Sequence, residues 1–152
     1  MKSTWEILLD DFAAVEWSAC TDSITTVSGA HVYALVVEAE GQSFPLYVGQ
    51  TQRLLGRIED YQAAQFHAPT DFRVGEAIRY LCEKQCVVRF LYKPTNAHLK
   101  DEKVLIRELL LRGCALLNFL GAFDYKTASP IDERLLVRRF CDMALARSKC
   151  LP

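Results

Sequence analysis

Between Tyr47 and Tyr61 a phenol, two guanidiniums and a second phenol fall at intervals that chemistry can use. Residues Pro45 to Gly49 read as the apolar end of a strand, Gly49 to Thr51 as a turn, and residues from about Leu54 onward as a helix. On that helix Arg57 and Tyr61 share one face, and Arg53 lies a turn before them. Tyr47 stands at the strand end that feeds the helix. Two phenols and a guanidinium gathered at a strand-to-helix junction suit an anion, most naturally a phosphate.

Such a junction needs a sheet to hold it. His31 to Val37 is a strand, β-branched and apolar on both faces, as expected where both faces are covered. Glu40-Gly41-Gln42-Ser43 is a turn, and Phe44 to Val48 returns as the second strand of a hairpin. After a helix over about 54–66, His67-Ala68-Pro69 breaks the pattern, and Thr70 or Asp71 caps a helix with Val74, Ala77, Ile78, Leu81 and Cys82 on one face. Cys86 to Tyr92 gives a third strand. Leu99 to about Arg112 is a helix stopped by Gly113. Ser129 caps a last helix, with Pro130 at its first position and Leu135, Leu136, Phe140 and Met143 as its apolar face. Its other side is basic, with Arg134, Arg138, Arg139, Arg147 and Lys149, so it offers either a solvated face or a nucleic-acid contact.

At the N-terminus, Ser3-Thr4-Trp5-Glu6 has the form of a capping box. Trp5, Leu8, Phe12, Val15 and Ala19 follow at helical spacing, which predicts an amphipathic helix over residues 4–19. It would either pack on the sheet or serve as a partner or dimer surface. The expected class is α+β, with a small three-stranded, mainly antiparallel sheet flanked by helices.

A chain of 152 residues that is 51% hydrophobic has the material for one domain with a core. Its formal net charge of −1 argues against non-specific coating of nucleic acid but permits a local basic patch. The apolar run Ile7-Leu8-Leu9 is cut short by Asp10 and Asp11, unlike a signal peptide, and no run reaches membrane-spanning length. A cytoplasmic protein without membrane contact is expected. Cys20, Cys82, Cys86, Cys114, Cys141 and Cys150 form no Cys-x-x-Cys pair and lie at no zinc spacing from His31, His67 or His98, which predicts reduced, mostly packed thiols. Only Cys82 and Cys86 stand at a spacing that could share a helix face.

The order of these elements resembles the GIY-YIG nuclease family. Val32-Tyr33 stands for the Ile-Tyr of its first motif half, and Tyr47-Val48-Gly49 for its second. The family places an arginine ten residues after the second tyrosine and a His or Tyr four residues later, and Arg57 and Tyr61 keep both intervals. Glu102-Lys103-Val104-Leu105-Ile106 is similar to the helix that carries the family's catalytic glutamate, and Leu117-Asn118 to the Leu-Asn that closes its domain. His31 replaces the first glycine, with Gly29 two residues earlier, and the hairpin loop is longer. The likeness spans about residues 28–118 and leaves the first and last helices as additions.

The resemblance implies a metal-dependent endonuclease acting on DNA, with one Mg²⁺ or Mn²⁺ per site. Glu102 would hold the metal and Arg57 would stabilise the charge of the transition state. Tyr33, with Tyr47 as its rival, would deprotonate water, and Tyr61 would support the proton network. A free phenol titrates near ~10, so this role needs Arg57 and the metal to lower it. Glu108 competes with Glu102, but Leu105, Ile106 and Leu109 align Glu102 with the buried stripe, whereas Glu108 suits an ion pair with Arg112. Thr51, Arg53, Lys100, Lys103, Arg138 and Arg139 are candidate nucleic-acid contacts; Gly49 and Asn118 are structural. The alternative is a non-catalytic module on the same fold that binds nucleic acid or a protein, as a homodimer or within a larger complex through its terminal helices.

Overall fold

The computed structural model describes residues 3–24, 27–121 and 123–148; Lys149 and Cys150, named above, lie outside them. The chain forms β1 (Ala13–Glu16), α1 (Cys20–Ser23), β2 (His31–Ala39), β3 (Gln42–Thr51), α2 (Leu54–Ala63), α3 (Pro69–Glu83), β4 (Val87–Pro94), α4 (His98–Leu111) and α5 (Pro130–Ser148). Four strands make one antiparallel sheet in the order β1-β4-β2-β3.

Strand β2 is central, and its alternation sorts the core into two layers. Tyr33, Leu35 and Val37 face α2, α3 and α5 together with Ile58, Tyr61, Val74, Ile78 and Val137. Val32, Ala34 and Val36 face the opposite way and meet Trp5, Leu9, Leu105, Leu109 and Leu116. Burial on both faces explains why β2 reads as an unbroken apolar run rather than as alternation.

The hairpin closes on two residues, Glu40 and Gly41, both with positive φ, between the paired Ala39 and Gln42. That is the backbone twist a tight antiparallel turn requires. The register shifts between Leu35 and Val36, where β3 carries Pro45 and one extra residue. Proline cannot donate to a ladder, and β3 is an edge strand, so the bulge falls where it costs least.

The predicted helix over 4–19 is corrected. Glu6–Leu9 is a single 3-10 turn, Ala13–Glu16 is β1, Trp17–Ala19 is another 3-10 turn, and α1 follows. Residues Ala13 to Glu16 pair with Tyr92 to Arg89, covering what would otherwise be a free edge of β4. Trp5 and Leu9 join one core layer while Val15 and Trp17 pack on the other. A single helix presents its stripe to one side only, so this segment has to cross the sheet edge. The sheet therefore has four strands rather than three.

Two helix details also differ. Helix α3 starts two or three residues earlier than expected, with Ala68 as N-cap and Pro69 at the first position, so neither Thr70 nor Asp71 caps it. The buried stripe of α5 is Val137, Cys141, Ala144 and Ser148, while Leu135, Leu136 and Met143 are exposed. Small side chains along that stripe let α5 pack closely on α3 and β3. Ser129 does cap α5, its Oγ accepting from the Asp132 amide at 3.4 Å.

The five described cysteines are free: Cys20, Cys114 and Cys141 are buried, Cys86 is half-buried and Cys82 is exposed. Burial pushes the Cys20 and Cys141 thiols up to about 12 and Cys114 to about 11, so these are packing groups rather than nucleophiles. Cys82 lies in the last turn of α3, and Cys86 beyond its end, so the two share no helix face. Among the described residues, no helix is long and apolar enough to cross a membrane.

Candidate active site

The site is built where β2, β3 and α2 meet. Tyr33 lies opposite Gly49 in the register, and Leu35 opposite Tyr47, so both tyrosines point to the sheet face covered by α2. A Cβ on Gly49 would fall 2.3 Å from both Cζ and Oη of Tyr33. The glycine of Tyr-Val-Gly is thus what lets the Tyr33 ring lie across β3.

Asn118 fixes the neighbouring position. Its Oδ1 accepts from the Val48 amide at 3.0 Å and its Nδ2 donates to the Val48 carbonyl at 2.7 Å. One side chain thereby satisfies two backbone groups of the edge strand, between Tyr47 and Gly49. Thr51 is mostly buried, and its Oγ1 accepts from the Arg53 amide at 2.9 Å, which shapes the turn into α2.

Tyr33 and Tyr61 are each 1% exposed, and their hydroxyls share a hydrogen bond of 2.5 Å. Tyr47 is half-buried, its ring edge-on to Tyr61 at 6.2 Å between centroids. The Arg57 guanidinium lies 4.6 Å over the Tyr61 ring. Arg57 Nη1 also contacts Asp71 Oδ1 at 2.7 Å and Asp60 Oδ2 at 3.1 Å. Arg53 reaches the same Asp60 at 3.4 Å but is otherwise exposed.

Burial raises all three phenols. For Tyr33, burial and the neighbouring Tyr47 raise it, and the Tyr61 hydrogen bond and Arg57 charge offset this only in part. The expectation that Arg57 would bring a phenol down is therefore met in sign and overruled in size. Tyr33 also has its hydroxyl directed at Tyr61 inside the core, which corrects its preference as the base that meets water. Tyr47 is the phenol nearer the surface. After burial it is lowered by the Tyr61 hydrogen bond and by Arg57, and raised by the charges of Glu102 and Asp71.

Glu102 comes from α4, which packs on β2 and β3 from the other core layer. Leu105 and Leu109 are buried on its stripe, and Glu102 itself is half-buried. Burial raises its carboxyl, with Lys103 and His98 offsetting this. Glu108 is engaged by Arg112 at 2.8 Å and by Arg107 at 3.8 Å, whereas Glu102 has no ion-pair partner among the described residues.

The remaining candidates divide. Lys100 and Lys103 are exposed at the start of α4, near Glu102 in sequence, and Arg139 is exposed on α5. Arg138 is committed elsewhere: its Nε and Nη2 bond the buried Glu76 at 3.3 and 3.2 Å, tying α5 to α3. His31 is buried with Nδ1 2.9 Å from the Gly29 carbonyl.

Asp60 and Asp71 are the functional neighbours that sequence reasoning missed. Asp60 is three residues after Arg57 on the same helix, a spacing that could have been read. Asp71 arrives from α3, and no local signal announces it.

Among the described residues, no three His, Cys, Asp or Glu side chains are grouped to enclose a metal. Glu102 fits instead as a lone protein ligand: half-buried, unpaired and made harder to ionise by burial, a condition that a cation relieves. No family model matches this chain, and comparison with curated proteins and with solved structures returned no match.

Proposed function

We propose that the protein is a metal-dependent endonuclease of the GIY-YIG type that hydrolyses phosphodiester bonds, most naturally in DNA. The observation that carries this reading is the joining of Tyr33, Tyr47, Tyr61 and Arg57 into one site whose outermost phenol, Tyr47, feels the charge of Glu102. Three separate elements deliver side chains of the types that phosphodiester hydrolysis requires. A simple packing role does not call for a guanidinium over a buried phenol whose hydroxyl is bonded to a second buried phenol.

Glu102 would hold one Mg²⁺ or Mn²⁺, with water and phosphate oxygens completing its shell, and the metal would supply charge for the phosphate and a more acidic water. Arg57 stabilises charge on the phosphate oxygens from its place over Tyr61. Tyr47 would take the proton of the attacking water as its phenolate, which requires added positive charge at the site to offset the burial that raises the phenol. Tyr61 and Tyr33 behind it hold its orientation. Lys100 and Lys103 lie beside Glu102 in sequence and suit the flanking backbone.

A second reading has its own support. Arg57 already faces two carboxylates, and two of the three phenols are sealed, which suits a module that binds nucleic acid or protein without cutting. Incubation with Mg²⁺ or Mn²⁺ and plasmid, single-stranded or branched DNA separates the two. The nuclease reading expects cleavage that chelator stops and Glu102→Ala abolishes while binding persists. No cleavage of any substrate, with binding unaffected by Glu102→Ala, supports the binding module instead.

A further inference from the structure

At the middle of α3 a different cluster has the opposite charge pattern. Glu76 is 0% exposed and lies among three arginines. Arg79 contacts it directly, Arg138 bonds it at 3.2 Å, and Arg134 stands 3.8 Å away. None of the three has another acidic partner among the described residues. One carboxylate against three guanidiniums leaves two positive charges unanswered.

Two of those guanidiniums, Arg79 and Arg134, border a cavity of about 510 Å³. Its wall is otherwise largely apolar, with Trp17, Phe72, Gly75 and Ile78. Arg134 sits 5.7 Å from the Phe72 ring centroid, so aromatic surface and cation are adjacent. Gly75 is fixed by packing, since a Cβ there would fall 2.3 Å from the Tyr61 carbonyl. An apolar hollow with a doubly cationic rim complements a molecule with a flat apolar body and an anionic end. Guanidiniums from two helices suit the several oxygens of a phosphate.

We infer that the cavity between α2, α3 and α5 is a binding site for a phosphorylated aromatic compound of nucleotide size. The phosphate is held by Arg79 and Arg134 and the ring lies toward Trp17 and Phe72. This site shares Tyr61 as a wall with the Arg57 site, but it uses other cations and needs no metal, so it stands whether or not the protein cuts nucleic acid.

The test is calorimetric titration of the full chain, in chelator, with adenosine 5′-monophosphate, adenosine and inorganic phosphate. The nucleotide is expected to bind at least about tenfold more tightly than either fragment, and Arg79→Gln/Arg134→Gln to weaken it by at least about tenfold. Arg138 stays in that variant to pair Glu76. Nucleotide binding no tighter than the fragments, or untouched by the variant, overturns the site. Should the variant not fold, amide and indole shifts in the unaltered chain decide. Shifts confined to Trp17 and residues 72–79 support the inference, and shifts centred on Lys100, Lys103 or Arg139 overturn it.

Discussion

The Arg57 and Glu76 clusters are opposites. In the first, one guanidinium meets two carboxylates, Asp60 and Asp71, above buried phenols. In the second, one buried carboxylate meets three guanidiniums. Both join helices: Arg57 of α2 to Asp71 of α3, and Glu76 of α3 to Arg134 and Arg138 of α5. The difference lies in what each still lacks. Arg57 has its charge answered, so a phosphate arriving there is met by acids as well as by a cation, and a metal on Glu102 would offset that repulsion. The arginines around Glu76 have charge to spare and can receive an anion without help. The first cluster is suited to chemistry that depends on a cation, the second to structure and direct anion binding.

The largest effect that would break this contrast is on Glu76. Removing a buried carboxylate strands the guanidiniums around it, so Glu76→Ala should cost about 3–5 kcal/mol in denaturant unfolding. Arg57→Ala should cost about 1 kcal/mol at most, because Asp60 and Asp71 regain water, while lowering cleavage by about 100-fold or more. Equal stability losses for the two variants would erase the distinction.

Next come the residues that seal the phenols. Tyr33→Phe removes one of the two phenols bonded to the buried Tyr61 hydroxyl, which keeps Tyr47, an expected loss of about 0.5–1.5 kcal/mol by chemical denaturation. Gly49→Ala forces the Tyr33 ring off its seat, with a loss of about 1–3 kcal/mol. In the double variant the two losses should be clearly less than additive, because the alanine methyl meets the ring end that carries the missing hydroxyl. Full additivity contradicts the packing described.

Stability against pH gives a smaller, signed effect. Tyr33, Tyr47 and Tyr61 are all raised in the folded protein, first by burial. Their contribution is fully present below the unfolded value of about 10 and is lost as pH climbs through the folded values. The denaturant midpoint should therefore fall above about pH 10, and less steeply in Tyr33→Phe. The smallest change belongs to Arg139→Ala, on an exposed face: within about 0.5 kcal/mol in stability. A nucleic-acid role for this residue would appear only as a shallower salt dependence of binding.

The hairpin, β4, α4 and the start of α5 were legible because their patterns are local: a doubly apolar strand, a helical stripe ended by Gly113, a Ser-Pro cap. The stretch from Trp5 to Ala19 was not, because its apolar residues divide between two core layers and its strand exists only by pairing with β4. Tertiary pairing overrode a helical spacing. The α5 stripe was misread for a related reason: Val137, Cys141 and Ala144 are small, and the larger Leu135 and Met143 outside drew the pattern away from them. Motif intervals singled out Tyr33, Tyr47, Arg57 and Tyr61, which the structure does bring together, and Glu102 on the opposite core layer, but burial and partners are tertiary facts. Hence Asp71 on Arg57 and the sealing of Tyr33 were both out of reach of spacing alone.

The central claim rests on Glu102, so the decisive measurement compares cleavage rates of wild type, Glu102→Gln and Glu108→Gln in saturating Mn²⁺ on one DNA substrate. The account predicts metal-dependent cutting by wild type and by Glu108→Gln at similar rates, and a loss of about 100-fold or more in Glu102→Gln. Cutting by Glu102→Gln at the wild-type rate, or no cutting by any of the three proteins, would contradict it.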